Sequence, residues 1–172
     1  MNPKIVMVLA KQVQECQKKS PDGKSPSIKI GTKIILNESD ITDMQAEIEG
    51  PLGTPYEGGV FRCKLAVEND FPNNPPKGYF ITKIFHPNVS EKGEICVNTL
   101  KKDWNPTNWS LFNILEVIKC LLIVPFPESA LNEQAGKMFM EDYQEYFKYA
   151  KMLTGLYATP KELKMVDNVP MQ

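Results

Sequence analysis

Four runs rich in β-branched and aromatic residues, IKIGTKIIL (28–36), ITDMQAEIE (41–49), VFRCKLAV (60–67) and GYFITKI (78–84), follow one another with no helical pattern between them. Parallel neighbours need a crossover of about a dozen residues or more, usually a helix. The connections here are shorter, and they predict an antiparallel meander. In the third run Phe61, Cys63, Leu65 and Val67 alternate with Arg62 and Lys64, so one face of that strand is apolar and the other polar.

Helical periods flank the strand region. Asn2-Pro3 predicts a helix start, a cap residue followed by proline at the first helical position. Ile5, Leu9, Val13 and Cys16 then recur on one helical face, while Lys4, Lys11 and Lys18 fall on another, ordinarily a solvated surface. The stretch from Ser20 to Ser27, with two prolines and a glycine, is a predicted loop. From Leu111 onward FNILEVIKCLLI predicts a buried helix, and SALNEQAGKMF (129–139) and EDYQEYFKYAKMLTGLY (141–157) predict two more, with Gly155 near the last stop. The expected fold is α+β: an N-terminal helix, a four-stranded antiparallel meander, an irregular loop, then three helices. One domain is expected over residues 1–157, followed by a short polar tail, 158–172, that frays.

Composition narrows the class. With 42% hydrophobic and 24% charged residues the chain is an ordinary globular one, long enough at 172 residues to bury a core. A formal charge of −1 leaves no broad basic field for nucleic acid, so no nucleic-acid partner is expected. No apolar run approaches the roughly 20 residues that span a bilayer. The first residues are interrupted by Lys4 and Lys11 and lack a cleavage site, so neither membrane nor secretion is expected, and the location is cytoplasmic or nuclear. Cys16, Cys63, Cys96 and Cys120 would then be thiols. With no C-x-x-C pair and one histidine, no metal site of usual zinc spacing can be built. Cys16, Cys63 and Cys120 lie in amphipathic or apolar segments and are expected to pack in the core.

Cys96 differs from the other three. It falls in FHPNVSEKGEICVNTLKKDWNP (85–106), the least regular stretch, where Pro87 rigidifies the chain and Gly93 permits a turn. A cysteine in such a segment, off any apolar periodic face, is the candidate reactive thiol.

His86-Pro87-Asn88 followed by Gly93-x-Ile95-Cys96 resembles the active-site signature of ubiquitin-conjugating enzymes. Three further stretches in the same order resemble that family: Gly53-Thr-Pro-Tyr-Glu-Gly-Gly-Val-Phe61, Phe71-Pro-Asn-Asn-Pro-Pro76, and Trp104 eight residues after Cys96 with Pro106 beyond it. The similarity runs from about residue 3 to about residue 157, and four ordered motifs are specific where a lone tripeptide is weak. PPKGYFITKIFHPNV, GEICVN and PFPESALNEQAG are similar to the chain-elongating branch of the family, which works with the anaphase-promoting complex and builds chains through lysine eleven of ubiquitin. Against that branch, Asn105-Pro106-Thr-Asn-Trp109 differs and carries what reads as an extra residue. The chain stops at Asp167-Asn-Val-Pro-Met-Gln172 without the branch's long basic extension.

The resemblance implies that Cys96 takes ubiquitin as a thioester from the activating enzyme and passes it to a lysine amine. No bound cofactor is implied, ATP being consumed upstream by the activating enzyme. It gives Asn88 the role of oxyanion donor or loop brace, and both stay open. His86, with Pro87, is expected to tie the loop together and not to act as a base. A cysteine–histidine protease would have to bring His86 and Cys96, ten residues apart, face to face, with no second histidine to help. Many relatives carry acids two positions after the cysteine and before the next-to-last helix; here those positions are Asn98 and Ser129. Glu128 or the acceptor ubiquitin would then supply the carboxylate. Ser129 also reads as the cap of a helix beginning near Ala130.

Partners implied are ubiquitin as donor and acceptor, the activating enzyme and a ligase, with the chain itself monomeric. Lys4 and Lys11 on the first helix, Asn73 and Asn74 in the proline-rich loop, and Pro106 become candidate contacts. Asn73 and Asn74 are polar where many relatives present an apolar anchor, and Trp104 is expected to pack inward. Two other classes stay open: conjugation of a different ubiquitin-like modifier, and a catalytically inactive ubiquitin-binding module on the same fold.

Overall fold

The computed structural model describes residues 3–17, 31–35 and 40–160, with the backbone alone at 15–17. Helix α1 spans Pro3–Gln17 and buries Leu9 and Val13, with Ile5 packed beside them. Asn2, the loop 20–27 and the side chain of Cys16 lie outside the described residues. Strands β1 (Thr32–Ile35), β2 (Asp43–Glu49), β3 (Val60–Ala66) and β4 (Lys77–Phe80) form one antiparallel sheet in the order β1-β2-β3-β4. The register pairs Met44 with Leu65, Ala46 with Cys63 and Ile48 with Phe61, six buried side chains. Since the strand period is two, that register puts the whole apolar set on one face. Met44, Leu65, Ile48 and Phe61, when fully withdrawn from water, each contribute about 1.5–3 kcal/mol.

β4 is shorter than its apolar run, 78–84, predicts. Ile81 and Thr82 both donate their amides to the Arg62 carbonyl, at 2.8 and 3.2 Å, and the Thr82 hydroxyl accepts from the Arg62 amide at 2.8 Å. Two residues facing one partner end the ladder. The run's remaining residues leave the sheet, and Phe85 and His86 enter the core.

Helix α3 (Leu111–Ile123) covers the apolar face with Leu111, Ile114, Leu115, Ile118, Leu121 and Leu122. It starts on the Ser110 hydroxyl, which accepts from the Phe112 amide at 3.2 Å, and on Gln12 of α1, whose side-chain oxygen accepts from the Leu111 amide at 3.0 Å. Cys120, expected in the core, is exposed. The apolar run conceals which face looks outward; the 3.6-residue turn puts position 120 with Asn113 and Glu116, which are also exposed. Cys63 does pack inward, fully buried, and desolvation pushes its thiol up to about 12.

The helix expected near Ala130 begins later. Pro127–Ser129 is a single 3₁₀ turn, and α4 (Glu133–Glu141) starts on Asn132, whose side-chain oxygen accepts from the Ala135 amide at 3.0 Å. Ser129 is therefore not a helix cap. Asp142 separates α4 from α5 (Tyr143–Tyr157) and caps the latter by accepting from the Glu145 amide at 3.1 Å. Tyr146 of α5 hydrogen-bonds through its hydroxyl to the buried Tyr56 hydroxyl, and Tyr56 donates to the Phe85 carbonyl at 2.8 Å. Ala158, placed by sequence at the start of the fraying tail, is buried, and its carbonyl accepts from the Val60 amide at 2.9 Å. The tail beyond it, 161–172, lies outside the described residues.

Candidate active site

His86, Pro87 and Asn88 each reach a different segment. The His86 Nδ1 accepts from the Asn88 amide at 3.0 Å, which leaves the proton on Nε2 to donate to the Leu121 carbonyl of α3 at 2.8 Å. Full burial lowers its pKa from 6.5 to about 4, so the ring is neutral and engaged at both nitrogens. The Pro87 carbonyl accepts from the amides of Leu131 and Asn132, at 2.8 and 3.1 Å. That pair draws the chain across Pro87 before α4 can begin, which is why Ser129 cannot cap it. The Asn88 side chain donates to the carbonyls of Phe126 and Ser129, at 2.7 and 3.2 Å, and accepts from the Phe126 amide at 2.8 Å. Both of its amide hydrogens are engaged and the side chain is wholly buried.

Residues 88–96 close a small hairpin. Val89 bridges Ile95, the Ser90 amide donates to the Glu94 carbonyl at 2.9 Å, and the Cys96 amide donates to the Asn88 carbonyl at 3.0 Å. Gly93 makes the turn with φ +89°, and a Cβ there would lie 2.2 Å from the Phe80 carbonyl oxygen. Glycine alone fits. The hairpin docks on β4, the Phe80 amide donating to Gly93 at 2.7 Å and the Ile95 amide to Gly78 at 2.9 Å. Val89 and Ile95 thereby join the core.

Cys96 comes next, where the hairpin ends and a five-residue helix, α2 (Val97–Lys101), begins. The irregularity of 85–106 in sequence hides this turn of helix, which is too short to show a period. Cys96 is 7% exposed and stands outside the contiguous apolar cluster that includes Ile95 and Leu100. Its Cα is held from both sides: the amide by Asn88, the carbonyl by the Thr99 amide at 3.1 Å.

The structure thus brings His86, Pro87, Asn88, Cys96 and the backbone of Ser129 into one bonded cluster. Glu128, Ser129 and Asn98 have exposed side chains on the flanking 3₁₀ turn and on α2. Lys4 and Lys11 are exposed on α1. Asn73 is exposed, whereas Asn74 is half-buried and donates to Asp70 at 2.6 Å. Pro106 is exposed beside a turn in which the Asn105 side chain accepts from the Thr107 amide at 2.9 Å. Trp104 packs against the core as expected, its Nε1 donating to the Pro72 carbonyl at 2.8 Å and its ring lying near Phe71 and Trp109. Among the described residues no cluster of three or more His, Cys, Asp or Glu is placed to hold a metal ion, and no helix is long and apolar enough to cross a membrane. Sequence reasoning missed Phe126, whose backbone receives most of what Asn88 offers; its place between Pro125 and Pro127 was the available signal.

Comparison with known proteins bears on the family and the fold. Residues 8–154 match the family described as ubiquitin-conjugating enzyme. The chain is 55% identical over 159 residues to ubiquitin-conjugating enzyme E2 22 of Arabidopsis thaliana, covering 92% of this chain and 60% of that protein. It therefore spans about three fifths of that relative's length. It is 53% identical over 160 residues to ubiquitin-conjugating enzyme E2 S of Drosophila erecta, covering 93% of this chain and 72% of that one. Among solved structures it is similar to a ubiquitin conjugating enzyme of Plasmodium yoelii, with TM-score 0.77, 32% identity, and coverage of 92% of this chain and 98% of that one. The E2 domain of a Toxoplasma gondii ubiquitin conjugating enzyme gives TM-score 0.75 at 33% identity, with coverage of 89% and 98%. The chain belongs to the ubiquitin-conjugating enzyme family.

Proposed function

We propose that Cys96 accepts ubiquitin from the activating enzyme as a thioester and transfers it to a lysine amine, elongating ubiquitin chains. The observation that carries this is the placement of Cys96, a thiol just short of full burial at the junction of the docked hairpin and α2.

In the first step the Cys96 thiolate attacks the carbonyl of the incoming thioester, a new C–S bond forms, and the activating enzyme's thiolate leaves. The exchange is nearly isoenergetic and needs no dedicated triad, because a thiolate is intrinsically a strong nucleophile. In the second step a neutral lysine amine attacks the same carbonyl. The C–N bond forms, a base takes the amine proton, and the Cys96 thiolate departs.

Asn88 serves the second step by holding the 126–129 loop beside the thiol; donating to the oxyanion instead would mean releasing Phe126 or Ser129. His86 is a loop tie, with neither nitrogen open to a substrate proton. Asn98 and Ser129 bring no carboxylate, so Glu128 or the acceptor ubiquitin takes the proton. Chain elongation rests on the likeness of PPKGYFITKIFHPNV, GEICVN and PFPESALNEQAG to the elongating branch. Lys4, Lys11, Asn73, Asn74 and Pro106 remain candidate contacts for the activating enzyme and a ligase.

The test is a gel. Incubation with activating enzyme, ATP and ubiquitin should give an adduct that reductant removes and Cys96→Ala abolishes. Absence of an adduct with ubiquitin, and its appearance with another ubiquitin-like protein, would move the chain to that modifier.

A further inference from the structure

Two elements hold Cys96, and they meet again at a distance from it. Helix α2 opens on Cys96 and closes on Lys102, whose amide donates to the Asn98 carbonyl at 3.1 Å. The segment after α3 is gripped by Asn88 at Phe126 and Ser129. Between these elements the Lys102 ammonium lies 5.3 Å from the centroid of the Phe126 ring. At that separation an ammonium is attracted by the ring's quadrupole.

Core packing does not account for the position of Phe126. The residue is 38% exposed and stands outside the apolar core. Its neighbours Pro125 and Pro127 restrict the backbone, so the ring is carried on a stiff segment. The contacts close a circuit: Cys96 amide to Asn88 carbonyl, Asn88 side chain to Phe126 backbone, Phe126 ring to Lys102, and Lys102 through α2 back to Cys96. Three links are backbone or buried hydrogen bonds. The fourth joins two surface side chains and is the link able to open without unfolding the rest.

We propose that the Lys102–Phe126 contact is a latch that holds the 124–129 loop against the helix opening on Cys96, making both side chains positioning residues for transfer to lysine. The latch rests on the proposed function of Cys96. Charging moves an acyl group between two thiols and tolerates a shifted wall. Aminolysis requires a neutral amine aligned with the thioester carbonyl, and small misplacement there costs rate.

The experiment charges the full chain with ubiquitin and follows single-turnover discharge onto free lysine over a range of lysine concentrations. Phe126→Ala and Lys102→Met should each charge fully and stay folded at the assay temperature, yet lose about two- to fivefold in the limiting discharge rate, the span set by an exposed cation–π contact. Phe126→Tyr and Lys102→Arg, which keep ring and cation, should restore the rate. The double variant should be no slower than either single, because both break one contact. Unaltered discharge in the two single variants, or losses that multiply in the double, overturns the latch alone. A wild-type chain that takes up no ubiquitin overturns the proposed function and the latch together.

Discussion

The Cys96 amide donates to the Asn88 carbonyl at 3.0 Å, and the side chain of the same Asn88 donates to the Phe126 carbonyl at 2.7 Å. One asparagine therefore ties the backbone of Cys96 to the 126–129 segment, using its main chain toward the first and its amide toward the second. The site follows from this double use, and several measurements bear on it.

Removing the thiol separates carriage from everything else. Cys96→Ala should fold as the wild type and form no adduct with ubiquitin on a non-reducing gel. Cys96→Ser should trap an ester that survives reductant. An adduct of unchanged yield in Cys96→Ala would place the acceptor at another residue, with Cys120, the exposed thiol of α3, the first to examine.

Asn88→Ala should leave the Phe126 amide and the Ser129 carbonyl without this partner, while the Phe126 carbonyl keeps the Ser129 amide, lowering stability by about 1–3 kcal/mol for each group left unpaired. Charging should persist while discharge to lysine slows. Asn88→Asp is the sharper variant: it keeps volume and can still accept from Phe126, but faces two carbonyls with no donor. Thermal unfolding should rank Asn88→Asp no more stable than Asn88→Ala. If Asn88→Asp melts with the wild type, the amide does not hold the loop.

His86 sets a pH dependence with a definite sign. Its pKa falls from 6.5 unfolded to about 4 folded, so the unfolded chain binds the extra proton between those values. The stabilisation by neutral His86 is complete above about pH 6.5 and is lost as pH falls toward 4; over that window it amounts to roughly 3 kcal/mol. Carboxylates also titrate at the lower end, so the informative range is pH 5–6.5, comparing wild type with His86→Gln. Denaturant midpoints should fall more steeply with acid in the wild type. Parallel curves would mean that His86 is solvated in the native state.

Gly93→Ala tests the docking of the hairpin. At φ +89° the added Cβ meets the Phe80 carbonyl at 2.2 Å, and neither is free to move without breaking the Phe80–Gly93 hydrogen bond. Strain at such a position costs about 1–3 kcal/mol before the clash is counted. Reduced stability and impaired charging should appear together. A variant within about 0.5 kcal/mol of wild type, the range of a neutral surface change, would show that the hairpin does not lie against β4 in this way.

Proton removal can be read from acceptor preference. With Asn98 and Ser129 in place of acids, discharge should be much faster onto a ubiquitin lysine than onto free lysine at equal amine concentration. Equal rates would show that the enzyme supplies its own base, and Glu128→Gln would then be the variant to compare.

The sequence alone determined the meander, because short connections forbid parallel crossovers, and the buried face of α1, because a helical period is local. It also singled out Cys96, since an irregular stretch gives a cysteine no apolar face to fill. It could not assign a face to Cys120, because a run of apolar residues carries no phase, and neighbouring elements decided which side was covered. Nor could it end β4 at Phe80 or delay α4 to Glu133; the first depends on two amides sharing the Arg62 carbonyl, the second on two amides sharing that of Pro87. The role of Asn88 was open between donor and brace for the same reason. An amide's hydrogens are allotted only when distant carbonyls arrive, and those of Phe126 and Ser129, 38 and 41 residues away, took them.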